Sequence, residues 1–489
     1  MKFHRLISTI LSIIFLMLCT VSCGDSYKDA FIYVEFNNKP LTLDPQLVES
    51  VEEMTVVRSL FDSIYRYDTN GELVLSAAEE HTINGNTHTF TLKKDLKWVD
   101  GSNVTAKDYV FGFQRAVDPS TKAPYAYNLF CIKNAALINK GNADVSQLGV
   151  YSKDDYTLVI ELEKNEEEFN KILATPICMP CNEDFFYNSK GKYGLTVDTT
   201  AANGSYYVRV WTKEEKYLIR LAKNLDYTGS FEANSMRIYF TCSEKDNISL
   251  LKQENTDLSF ISTDEYSDAK SEGFDIISTE DTCYTLFVSE QIPHNVRKSL
   301  LSSIDSSKIN SALFDTRRLA QNVLPASFNS NEIKPVSDYI GYNEELAKSL
   351  YNQEILNGYK LSNVNFLYPA DKTAHEVAKG IAAHWQQTLS AFINIEQSNV
   401  YTIKQAYKNG YYDIIILPFS ASGGIVTSYI ADMGYSDKTI TQIQNELYSN
   451  YLCFPLFYTT TNIASIDRIK NLDSAVFNGI VDVSMLIKM

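Results

Sequence analysis

The stretch from Phe90 to Pro119 constrains this chain most, because the spacing of its apolar residues changes inside it. Phe90 and Leu92 alternate with Thr89, Thr91 and Lys93, the period of a strand with one buried face. Asp100-Gly101 marks a turn. Thr105 stands three residues before Asp108, where a hydroxyl and a carboxylate satisfy amides that lack partners in a first helical turn. Val110, Phe113 and Val117 then recur at helical spacing, and Asp118-Pro119 stops the run. The reading is a strand–turn–helix unit of an αβ protein.

Ten residues of this unit, Trp98, Asp100, Gly101, Thr105, Ala106, Asp108, Arg115, Ala116, Asp118 and Pro119, resemble the most recognisable segment of the bacterial extracellular solute-binding proteins of family 5. That family includes oligopeptide- and dipeptide-binding lipoproteins that serve membrane transporters. Thr42-Leu43-Asp44-Pro45 matches its "TLDP", and Asp62 to Ala78 matches a hairpin turning at Asn70-Gly71. Asn203-Gly204-Ser205-Tyr206, the helix Asn295 to Asp305 and the order strand (Val364 to Tyr368), helix (Thr373 to Leu389), strand (Tyr412 to Ile416) continue the resemblance. It covers residues 31 to 489.

The resemblance implies an α/β type II periplasmic-binding-protein fold, two lobes with a hinge plus an inserted α+β domain. Lobe one would take residues 24–47, 175–270 and 453–489, the inserted domain 48–174, and lobe two 271–452. It also implies a site. Such binders grip a peptide main chain as an added strand and fix its termini with charges. The lobes close around the solute, and the closed form is what a permease recognises. The strand-pairing positions after "TLDP" are Glu49, Ser50 and Val51, and those after the second-lobe strand are Pro418, Phe419, Ser420 and Ser422. Where the family places an aspartate for the peptide amino group, this chain has Ser422. Pro418 offers no N–H, a loss of roughly 0.5–1.5 kcal/mol. Serine for aspartate removes a charged anchor of about 1.5–3 kcal/mol. Ile416 stands where an arginine facing a ligand carboxylate occurs. Strong capture of a free peptide by both termini is therefore not expected, and Glu49 is a possible substitute charge.

At the start of the chain, Lys2 and Arg5 precede an apolar run from Leu6 to Val21, shorter than the roughly 20 residues of a membrane span and suited to an export signal. Thr20-Val21-Ser22-Cys23 resembles a lipoprotein cleavage site, with Cys23 as the acylated residue. Removing residues 1–22 takes away two positive charges, so the net charge falls from −16 to −18. A body this acidic argues against nucleic acid as a partner. Cys178-Met179-Pro180-Cys181 has redox-motif spacing but lies in a proline-containing extended segment, where a disulfide or isolated thiols are expected. His375 and His384 are nine residues apart and form no zinc-protease motif. No nucleophile elbow or phosphate loop is present. The expectation is a lipid-anchored, monomeric, non-enzymatic solute-binding subunit of an ATP-driven importer, without metal or cofactor. It would take a peptide or related small solute, its partners would be permease subunits and the membrane through its lipid anchor, and it would reside at the outer face of the bacterial cytoplasmic membrane or in the periplasm. The alternative is a non-transport lipoprotein, a sensory or partner-binding module or a degenerate binder, on the same scaffold.

Overall fold

The computed structural model describes residues 31–489 apart from 164–165, 215, 230, 232, 244, 314–315, 326–327, 329–332, 362–363, 421–425 and 436–437. The signal segment and Cys23 lie outside these residues, as does Ser422.

The chain opens with strand β1 (Phe31–Glu35) and helix α1 (Val51–Leu60). The strand–turn–helix unit appears as expected. Strand β2 (Thr87–Leu92) buries His88, Phe90 and Leu92 on one face, Gly101 turns at φ +89°, and α2 (Ala106–Val117) follows. A positive φ is open to glycine without the clash a side chain would meet. Asp108 Oδ2 accepts the Thr105 backbone N–H at 2.7 Å, closing the first turn of α2. At the other end of that helix, Arg115 Nη2 lies 2.6 Å from Asp44 Oδ2, and both side chains are buried. One buried ion pair thus ties the "TLDP" segment to α2.

Later in the chain come the 14-residue strand β3 (Asp275–Val288), helix α3 (Val400–Asn409), strand β4 (Ile414–Ser420) and the 13-residue strand β5 (Cys453–Ser465). The three strands join an 11-stranded sheet. Along it the order is 394–398, 365–369, β4, β3, β5, 258–261, β1, 237–242, 217–223 and 206–212, with Arg318–Leu319 added beside β5. A separate four-stranded antiparallel sheet contains β2.

The long antiparallel pair β3–β5 is the axis of the molecule. At one end Asp275 to Ile277 pair with Ile463 to Ser465, next to strand 258–261. At the other, Leu286 and Phe287 pair with Phe454 and Cys453, next to β4. The apolar core divides at the same place. One cluster holds residues from 32 to 261 and from 463 to 486, and a second holds residues from 286 to 457. Between them the paired strands read Ser278-Thr279-Glu280-Asp281-Thr282 against Thr459-Thr460-Thr461-Asn462. This is the only stretch of the β3–β5 ladder without an apolar side chain, so little packing opposes bending there.

Candidate functional site

Above this polar crossover lies a cleft of about 530 Å³, within the range of small-molecule sites. Glu49, Ser50 and Val51 line one side of it, together with Lys122, Tyr125 and Tyr127. Pro418 and Ser420 of β4 line the other, with Tyr401, Lys404 and Lys408 of α3. Asp281, Thr282 and Thr461 form the floor.

Two distant stretches singled out in the sequence therefore share one cavity. Phe419 does not join them. Side chains alternate along a strand, so while Pro418 and Ser420 face the cleft, Phe419 is fully buried in the second core, its ring near those of Phe287, Tyr407 and Tyr429. Ile416 is buried in the same core.

Glu49 to Val51 reach the cleft as a capped helix start. Ser50 Oγ accepts the Glu53 N–H at 3.1 Å, and Glu53 Oε2 accepts the N–H groups of Glu49 at 2.8 Å and Ser50 at 3.3 Å. Tyr125 donates to the Glu49 carbonyl at 3.0 Å. These backbone groups are committed to the fold, which limits the strand pairing they can offer a solute. Ser50-x-x-Glu53 is a capping-box pattern, so the signal stood in the sequence.

The facing edge of β4 is more open. It pairs with strand 365–369 only through Ile414 and Ile415, so Ile416 to Ser420 have no strand partner on that side among the described residues. Such an edge accepts an added strand.

The floor holds an acid that the sequence patterns did not single out. Between Glu280 and Thr282 the β3–β5 register slips, leaving Asp281 as the extra residue of a bulge. Bulges re-aim side chains, and this one places the Asp281 carboxylate against the cleft with the residue only 5% exposed. Thr461 Oγ1 donates to Oδ2 at 2.6 Å and Thr282 Oγ1 to Oδ1 at 2.9 Å. Burial pushes its carboxyl up to about 6, and the two hydroxyls only partly offset this. Its neighbour Glu280 is instead paired with Arg318. Across the cleft, Lys404 pairs with Asp432 at 2.6 Å, while Lys122 and Lys408 are exposed.

Cys178 and Cys181 are buried free thiols. Burial raises both, Cys181 to about 12, so neither is a ready thiolate and the pair lacks the character of a redox site. His375 bonds Tyr368 and His384 bonds Lys308, each within a local contact.

The family described as "Bacterial extracellular solute-binding proteins, family 5 Middle" matches residues 43–440. The chain belongs to it. Among relatives of this solute-binding protein, the oligopeptide-binding protein OppA of Bacillus subtilis is 24% identical over 416 residues, covering 79% of this chain and 75% of that one. The probable deoxycholate-binding periplasmic protein YgiS of Escherichia coli is 26% identical over 442 residues, 85% and 81% of the two chains. The structure of Haemophilus influenzae OppA in complex with RPPGFSPFR superposes with a TM-score of 0.78 at 21% identity, covering 94% of this chain and 99% of that one. Listeria monocytogenes OppA bound to peptide gives 0.76 at 21%, again covering 94% and 99%. The fold of the solute-binding protein is thus that of the OppA-type binders, and its family is one of extracellular binding proteins rather than of enzymes. No helix among the described residues is long and apolar enough to cross a membrane.

Proposed function

We propose that this protein captures short peptides, or a closely related small solute, in the cleft over the crossover and presents them to the permease of an ATP-driven importer. One observation carries the reading. The start of α1 and the open edge of β4 face one cavity, and the strands beneath it are the polar crossover between two separately packed cores. Closure about that crossover would bring the β4 edge onto a solute main chain, which suits ligands of varied side chain. The likeness to peptide-bound OppA structures supports the same reading.

The division into lobes is part of this proposal. The separate core of residues 286–457 supports lobe two (271–452) as a unit. The inserted segment 48–174 instead shares a continuous core with lobe one (24–47, 175–270 and 453–489). Acylation of Cys23 would hold the molecule at the outer face of the membrane, and metabolic labelling with palmitate is lost in Cys23→Ser if this is so.

The test of binding is thermal unfolding against di- to pentaalanine. A concentration-dependent rise in Tm is expected, because a ligand bound only to the native state stabilises it by mass action. No rise at any length, with bile acids such as deoxycholate stabilising instead, would overturn the peptide reading.

A further inference from the structure

We infer that Asp281 is the group that grips the cationic end of the solute, so that the ligand carries a protonated amine directed at the hinge. The inference rests on the reading of this cleft as the solute site.

Three observations lead to it. First, the bulge puts a carboxylate on the cleft floor at the point where the two lobes cross over. Second, its hydrogen bonding is half used. A carboxylate has about four acceptor positions, and Thr282 and Thr461 occupy two of them. The hydroxyls also fix its orientation. The Thr282 proton is given to Asp281, so the 2.8 Å contact between Thr282 and Ser420 is donated by Ser420. The resulting chain, Ser420 to Thr282 to Asp281, joins the β4 wall to the floor. Third, no cation among the described residues neutralises Asp281. Arg318 goes to Glu280, and Lys404 goes to Asp432.

A buried carboxylate without a counter-charge is costly. An ammonium with three donors supplies the charge and fills the two open acceptor positions. Lys122 and Lys408, exposed at the rim, are then available for an anionic end of the same solute.

Calorimetry with di- to pentaalanine, each with a free and an N-acetylated amino terminus, and with spermidine, tests this on the full mature protein. Free-amine peptides are expected to bind about 10- to 100-fold more tightly than their acetylated forms, the value of one charge-assisted contact. Asp281→Asn should abolish that preference, bringing the affinity of the free-amine peptides down to that of their acetylated forms. Glu49→Gln probes the rival acid on the α1 wall, and it keeps the experiment decisive if Asp281→Asn does not fold. Loss of the preference in Glu49→Gln overturns the assignment. Equal binding of free and acetylated peptides overturns the anchor and leaves the peptide reading standing. Spermidine binding that needs Asp281, with no peptide binding, supports the amine anchor and removes the peptide reading. Binding of neither amine class overturns both.

Discussion

Two buried aspartates show how differently one residue type is treated in two regions. In the first core, Asp482 is fully buried and faces two arginines, with Arg66 Nη2 at 2.6 Å and Arg58 Nε at 3.4 Å. Ser484 also donates to it at 2.6 Å. Its carboxyl is held below the ordinary carboxylate range, burial being outweighed by the arginines and the hydrogen bonds. At the crossover, Asp281 is almost as buried but has two hydroxyls and, among the described residues, no cation, and its carboxyl rises to about 6. The first arrangement supplies its own counter-charges. It fastens the C-terminal segment to α1 and to the hairpin of strands 65–67 and 73–75. The second has no counter-charge among the described residues. A buried acid with its partners in place holds structure, and one without them marks where a ligand belongs.

The contrast breaks most severely if the complete network is cut. Asp482→Ala leaves Arg58 buried without its counter-ion and Arg66 with only the longer 3.6 Å contact to Asp62, and should lower stability by about 3–5 kcal/mol, read from urea unfolding at neutral pH. A loss comparable to a surface mutation would remove the distinction.

Asp281→Asn should move stability the other way in the ligand-free protein. Its native carboxyl is raised to about 6 against an ordinary 3.8. The folded state therefore holds a proton that the unfolded state releases, and this group's contribution falls as pH rises from about 4 to about 6. At pH 7 the variant should exceed the wild type by roughly 2–3 kcal/mol, and the gap should close near pH 4. The neighbouring charged groups are Glu280 with its Arg318 and, lining the same cleft, Glu49, Glu52, Lys122, Lys408 and the Lys404–Asp432 pair. Asp482 has the opposite sign. Its contribution is fully present above the ordinary carboxylate value and is lost as pH falls through its lowered native value. Parallel pH–stability slopes for the two aspartates would refute the comparison.

The smallest effect concerns the cleft wall. Ser50→Ala removes the capping hydroxyl of α1 and should cost about 1 kcal/mol, seen as a small drop in Tm. Peptide affinity should change little if Ser50 serves mainly as a cap, and a large drop in affinity at unchanged Tm would make it a ligand contact.

Much of the fold was legible in local pattern. The turn at Gly71 and the unit from Phe90 to Val117 follow from periodicity and turn chemistry, which neighbouring residues set among themselves, while the helix over residues 372–389 and the strand beginning at Ile414 were expected from the family resemblance. The site was legible in part. Glu49 to Val51 and Pro418 and Ser420 do line one cleft, but Phe419 points into the core, because a run such as Ile414-Ile415-Ile416-Leu417-Pro418-Phe419 carries no alternation to tell its two faces apart.

What the sequence determined by itself is the local and the familial. Strand, turn and helix signals, the acidic body and a run of motifs place the chain in its family. What only the tertiary structure decided is which groups meet across long separations. Asp44 with Arg115, Arg66 with Asp482, and the unpaired Asp281 on the cleft floor each depend on how distant segments pack. The bulge that aims Asp281 exists only because β3 and β5, some 180 residues apart, pair out of step by one. Nothing near Asp281 in the chain encodes that slip. Register is a property of two strands together, and charge compensation is a property of everything within a few ångströms in space.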